Sequence, residues 1–271
     1  MTRNAEDPDY ADFVKAIRDG AGPEKRREFA DDFLSTTTEK KDMIDFVFPP
    51  AVLRDPEACL ARGILASTNE QVEEYNGILL DRVHGESRRC FAADRLKDAS
   101  ESPLTTAVLD VVAHQTPQGL PPHCLHIKTN AVYRVLRDLS LNGQPVKTVV
   151  VTKHANFVIN VKVLKDSPAL EAGDEEMFIP RIDFPHVLSS GHTLLRRQFP
   201  LVPAYSTTFH GCEGLTFDRI GVDLTRPAST RGRLYTALST VRRGEDVIVR
   251  LRAGESATVL LPTDKPTTNH A

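Results

Sequence analysis

Apolar positions change their spacing twice along this chain, and the changes predict its elements. Up to about residue 58 they recur at helical intervals. Tyr10, Phe13, Val14 and Ile17 line one face behind an Asp7-Pro8 start, and the pattern stops near Gly20. Pro23 opens a second helical pattern with Phe29, Phe33 and Leu34. Thr36 with Glu39 predicts a capping box for a third, which carries Met43, Ile44 and Val47 as far as Pro49-Pro50. Gly63 to Ser67 then reads as a short buried strand. It runs into a helix capped by Thr68 and Gln71, with Val72, Tyr75, Ile78, Leu79 and Val83 on one face until Gly85. A strand feeding a capped helix is an α/β unit. A short strand over Arg89 to Ala92 and a helix over Leu104 to His114 follow.

From Gly119 short β-branched runs replace the helical period: Cys124–Lys128, Ala131–Leu136, Thr148–Thr152, Phe157–Leu164 and Met177–Ile182. Turn signals separate them at Asn142-Gly143, Asp166-Ser167-Pro168 and Ala172-Gly173-Asp174. Several short strands with regular turns predict a small barrel or sandwich. The texture changes again near Gln198. A polar loop crowds Thr207, Thr208, His210, Gly211, Glu213, Gly214 and Thr216 together. Arg219 to Leu224 alternates as a strand. A helix capped by Ser229 and Thr230 then carries Leu234, Tyr235, Leu238 and Val241 to Gly244, with Arg242 and Arg243 in its last turn. Val247 to Leu251 is one more strand, and the polar end from residue 254 is expected to be disordered.

Composition narrows the picture little. With 40% apolar and 26% charged residues in 271, an ordinary packed core is expected. The net charge of −3 demands no nucleic-acid surface, so any such surface must be a local patch. Four cysteines without a CxxC pair fit reduced thiols better than a zinc ribbon or a disulfide scaffold. His123, Cys124 and His126 resemble metal ligands, but alternation puts His123 and Cys124 on opposite faces of a strand. No apolar run approaches about 18 residues, and the acidic start is no signal or transit peptide.

Four segments in order resemble the carboxy-terminal half of Pif-type DNA helicases, including those encoded by Helitron transposons. They are ILASTNEQVEEYN at Ile64–Asn76, the long TPQGLPPHCLHIKTN run from Thr116, MFIPRIDF at Met177–Phe184 with the Gln198–Leu224 stretch after it, and GRLYTALSTVRR at Gly232–Arg243. The resemblance implies an α/β fold: a single RecA-like sheet, the second motor domain, over residues 59–118 and 199–253. It places a small Src-homology-like β-barrel at 119–198 and a helical amino-terminal region at 1–58.

The same resemblance implies an ATP-dependent, 5′-to-3′ DNA helicase that acts on single-stranded DNA in the nucleus. In that family the nucleotide lies between two RecA-like domains. These 271 residues contain no GxxxxGK[ST] loop to cradle phosphates. ATP and Mg²⁺ are therefore expected only when a first RecA-like domain is supplied, in cis or in trans, with none held by this chain alone. No membrane partner is expected.

The family's site residues carry over unevenly. Gly214, Glu213, Thr216 and Arg242 fall at the nucleotide cleft, and Thr208, His210, Asn69, Arg196 and Arg197 at DNA-binding positions. Gly211, Cys212 and Glu213 replace a lysine, a serine and a glutamine, which shifts the local charge by about two units against a phosphate. Thr240 stands at the arginine-finger position, a group worth about 10³–10⁵ in rate. A helical turn is expected to point Arg242 and Arg243 away from that position. Bland readings stand beside these. Arg196-Arg197 also reads as a solvated turn, Asn69 as a cap, Arg88-Arg89 as a solvated strand edge, and the Arg226, Arg231 and Arg233 group is equally open. Two functional classes follow: a helicase half inactive alone, or a non-enzymatic module binding single-stranded DNA or protein.

Overall fold

A computed structural model of the chain describes residues 6–19, 34–97, 103–113, 116–117, 119–164, 176–226 and 231–254. In chain order the elements are α1 (Pro8–Asp19), β1 (Ser35–Thr37), α2 (Lys40–Val47), α3 (Pro56–Leu60), β2 (Arg62–Ala66) and α4 (Asn69–Arg82). Then come β3 (Ser87–Phe91), β4 (Ala93–Leu96), α5 (Pro103–Ala113), β5 (Cys124–Lys128), β6 (Val132–Leu141), β7 (Gln144–His154) and β8 (Val158–Leu164). The chain closes with β9 (Glu176–Pro180), β10 (Ile182–Val187), β11 (Thr193–Gln198), β12 (Leu201–Pro203), β13 (Ser206–Thr208), β14 (Arg219–Asp223), α6 (Arg231–Leu238) and β15 (Val247–Arg250).

The chain divides into two compact units, residues 1–78 with 205–271, and residues 79–204. The first is built on a parallel sheet of order β1-β15-β14-β2-β13. Both faces are covered, which is why the central strands β2, β14 and β15 are largely apolar at their centres. Ile220, Val222, Val247, Val249 and Leu65 face one side, where Tyr10, Phe13, Val14 and Ile17 of α1 and Leu234 and Leu238 of α6 complete the core. Gly221 faces the other side. A Cβ there would lie 2.7 Å from Met43 of α2, so only glycine lets this helix sit so close to the sheet.

The amino-terminal region, expected to be helical, also carries a strand of the parallel sheet. Thr36 belongs to β1 and pairs with Val249. The helix that follows starts at Lys40, with no side-chain cap from Glu39. The Thr68 cap of the expected box does form, the Gln71 N–H donating to Thr68 Oγ1 at 3.3 Å, while Gln71 Nε2 donates to Thr225 Oγ1 at 3.3 Å. The expected second helix from Pro23, the turns at 166–168 and 172–174, the Ser229-Thr230 cap and the tail from 255 lie outside the described residues.

The second unit holds three antiparallel ladders, ordered β12-β6-β7-β8-β9, β10-β11-β4 and β3-β5. The Asn142-Gly143 turn joins β6 to β7 as its sequence predicts. Among the described residues the paired strands form open ladders rather than one closed barrel. The unit is larger than the expected 119–198 insertion, because β3 pairs with β5 and β4 with β11, which draws in residues from 79 onward.

Candidate functional site

In a parallel α/β sheet, ligands gather outside the carboxyl ends of the strands. Here β2 ends at Ser67-Thr68-Asn69, β13 at Thr208-Phe209-His210 and β14 at Thr225-Arg226. Main-chain and side-chain bonds hold these ends together. The Phe209 N–H donates to Ala66 O at 3.1 Å, and Ser67 Oγ donates to Arg226 O at 2.8 Å. Arg226 also pairs with Glu70. Beneath them Asp223 is buried and fully engaged. It accepts from the Tyr75 hydroxyl, from Arg250 Nη1 at 3.1 Å and from Thr225 Oγ1 at 2.6 Å. Burial, then the bond to Asp223, pushes the Tyr75 phenol up and keeps it protonated.

Three of the sequence-predicted DNA positions, Asn69, Thr208 and His210, meet at this carboxyl edge. Asn69 opens α4 and is exposed; His210 is exposed beside Glu213, at 4.0 Å. Thr208 is half-buried and shapes the loop, its Oγ1 accepting the Gly211 N–H at 3.1 Å. The other two do not join them. Arg196 and Arg197 lie on β11 in the second unit.

Arg196 corrects the sequence reading outright. It is fully buried, donates to Asp94 from Nε (3.0 Å) and Nη2 (2.8 Å), and also reaches Pro121 O and Val112 O. It is neither a DNA contact nor part of a solvated turn. His123, one of the rejected metal-like residues, shares that carboxylate: its Nδ1 lies 2.9 Å from Asp94 Oδ2. Arg197, one residue on, points to solvent, because successive strand residues alternate faces.

The loop after β13 crosses one face of the sheet. Phe209, Cys212 and Phe217 pack into the core under it, and burial pushes the Cys212 thiol up to about 11. Gly214 turns the chain at a φ of 84°, where glycine is favoured. Glu213 and Thr216 remain exposed. Gly211 has no room for a side chain: a Cβ would lie 2.4 Å from Thr207 Oγ1. A side chain at that position would require the Thr207 hydroxyl to move. The crossing ends at the amino edge of the sheet, where the Phe217 N–H donates to Thr240 O at 2.9 Å.

Thr240 is buried there, with its Oγ1 bonded to Ala237 O at 2.7 Å. That bond comes with a second correction. The helix stops at Leu238 instead of continuing to Gly244, so Arg242 and Arg243 are not in its last turn. Helical rotation does not set their direction; Glu6, just ahead of α1, pairs with both. Arg242 donates to Glu6 at 3.1 Å and Arg243 to the same carboxylate at 3.4 Å. Asp7 caps α1 through the Tyr10 N–H and also accepts the Gly244 N–H at 3.2 Å. The Tyr10 hydroxyl donates to Leu238 O at 2.8 Å. No sequence signal linked Glu6 or Tyr10 to this segment, more than 220 residues away. Thr240 is uncharged, and Arg242 and Arg243 pair with Glu6 at the surface.

The fold, a covered parallel sheet with polar loops at its carboxyl edge, is similar to that of solved helicases. The particular likeness is to Pif1 helicases. The crystal structure of Pif1 helicase from Candida albicans matches with a TM-score of 0.67 at 18% identity, over 98% of this chain and 57% of that one. Bacteroides Pif1 bound to ssDNA matches with a TM-score of 0.61 at 16% identity, over 96% and 52%. In sequence, 79 residues are 32% identical to ATP-dependent DNA helicase PIF6 of Trypanosoma brucei brucei (strain 927/4 GUTat10.1), covering 29% of this chain and 10% of that protein. No protein-family profile matches the chain. The chain thus spans about half the length of the solved helicases it matches, and its 79 aligned residues cover about a tenth of the curated relative. Among the described residues no helix is long and apolar enough to cross a membrane.

Proposed function

We propose that this chain is the second motor-domain portion of a Pif-like DNA helicase, holding single-stranded DNA at the carboxyl edge of its parallel sheet. The observation that carries this is the single loop from Thr208 to Phe217. It is bonded to Ala66 at one end and to Thr240 at the other. It connects the edge bearing Asn69 and His210 with the edge that would face a nucleotide. A RecA-like motor needs such a link, because unwinding couples what happens at phosphate to what happens on the strand. The solved relative bound to ssDNA lends the same support.

On this reading the chain does not hydrolyse ATP by itself. ATP and Mg²⁺ would be held by a first RecA-like domain, in cis or in trans, and the 5′-to-3′ direction would belong to that assembly. The barrel-like role falls to residues within the second unit. A non-enzymatic DNA-binding module is the second reading, favoured by Thr240 and by the closed space at Gly211. ATPase assays with and without single-stranded DNA decide between outcomes. The chain alone is expected to bind labelled oligonucleotide and show no turnover, and clear DNA-stimulated turnover by the chain alone would overturn the proposal. Turnover appearing only when a first RecA-like domain is added supports the helicase reading over the passive module.

A further inference from the structure

From Ser87 to Lys97 every odd-numbered residue is exposed and every even-numbered one is buried or half-buried. The alternation runs unbroken through β3, Ala92 and β4. It leaves Arg89, Phe91, Arg95 and Lys97 exposed along the two strands, over roughly 26 Å at about 3.3 Å per residue. Neighbouring strands extend this row with residues of the same kind. Arg89 is in register with His126 of β5, and Ala93 with Arg197 of β11. Among the register partners on β5, β11 and β10 the single acid is Asp183, which Arg95 already engages at 3.1 Å.

Phe91 is 58% exposed in the middle of this stripe. Leaving a phenylalanine side chain in water forfeits about 1.5–3 kcal/mol of burial. The exposed residues on either side of it along the strand are Arg89 and Ala93, and its ring lies 6.3 Å from that of His123. Cations spaced along a track, with a ring open for stacking, match a single strand: phosphates for the charges and a base for the ring.

We infer that the outer side of β3 and β4 is a second contact surface for single-stranded nucleic acid, with Phe91 as its stacking residue and Arg89, Arg95, Lys97 and Arg197 along the backbone. This rests on the proposed DNA-binding function but uses none of the carboxyl-edge residues.

The test measures fluorescence anisotropy of labelled oligo-dT with the whole chain across a salt series. Three variants are compared: Arg89→Gln with Lys97→Gln, Phe91→Ala, and Asn69→Ala with His210→Ala at the carboxyl edge. Every substituted position is exposed, so unchanged thermal melting is expected throughout. The double glutamine variant should bind about tenfold more weakly at low salt, with the log–log salt slope reduced by about 1.4. Phe91→Ala should lose about fivefold or more with the slope unchanged, since a stacking contact carries no counterions. If the stripe variants bind as the parent does while the carboxyl-edge variant weakens, the inference is wrong and the proposed function survives. The reverse pattern keeps the inference and removes the carboxyl-edge site. Displacement of oligo-dT by poly-glutamate at equal charge would also overturn it, assigning the stripe to an acidic protein segment instead.

Discussion

The two edges of the parallel sheet have been treated in opposite ways. At the carboxyl edge Ser67, Asn69, His210 and Arg226 stand at or near the surface, supported from below by the buried Asp223. At the amino edge Thr240 is buried and Arg242 and Arg243 are tied to Glu6, just ahead of α1. One edge presents polar groups to solvent; at the other Thr240 is buried and the arginines are paired at the surface. On the proposed function, the comparison teaches that a fold could keep a strand-binding side while the opposite edge is turned to structural use. A fold-level likeness therefore says little about which of the two survives.

The contrast can be broken most severely from below the open edge. Asp223→Ala leaves Arg250 without its buried carboxylate and the Tyr75 hydroxyl without its acceptor. It should cost roughly 3 kcal/mol in urea unfolding, with oligonucleotide binding weakened in the same variant. If stability is unchanged, the network under this edge is not what holds it. Gly211→Ala tests the loop that joins the edges. Its Cβ meets Thr207 Oγ1, so a loss of roughly 2 kcal/mol is expected. Adding Thr207→Ala should restore most of that loss, and a double variant no better than the single would show that the crowding lies elsewhere.

Tyr10→Phe removes the bond to Leu238 O and should cost about 1 kcal/mol, since the buried carbonyl loses its donor. Alkaline pH acts on both sides of the sheet together. Burial raises Cys212 to about 11 and Cys59 to about 12, and raises Tyr10 and Tyr75 as well. Folding then keeps these groups protonated where the unfolded chain releases protons. Their stabilisation is complete below about pH 8.5 and is lost as pH rises through 11 and beyond. Unfolding midpoints measured from pH 7 to 11 should be flat at first and then fall; a rise above pH 9 would contradict the burial. The smallest effect is expected at the amino edge. Glu6→Gln removes exposed ion pairs and should leave the urea midpoint unchanged, while freeing Arg242 and Arg243.

Much of the sheet was legible because burial on both faces writes itself into composition. Ile64 to Ala66, Ile220 to Val222 and Val247 to Val249 are apolar runs bounded by polar turns, and each became a central strand. The Thr68 cap was legible because it is made within four residues. β1 was not. Ser35-Thr36-Thr37 has no apolar pattern, and its extended shape comes from pairing with β15, over 200 residues along. The early end of α6 escaped for a similar reason. Val241 continues a helical period, yet the Thr240 carbonyl is taken by Phe217 and its hydroxyl by Ala237.

Sequence by itself determined the α/β class, the central strands, the likeness to Pif-type helicases and the absent charges at Gly211 and Thr240. These are local matters of residue type and period. Tertiary structure alone decided which charges are available. Arg196 and Arg197 are chemically identical neighbours, and strand alternation requires one to face in and one out. Only the position of Asp94, 102 residues away, made Arg196 the buried one and left Arg197 to the solvent. The same holds for Arg242, whose partner is brought by α1 from the far end of the chain. A cation's function depends on what lies within about 4 Å of it, and in a folded chain that neighbour is rarely its neighbour in sequence.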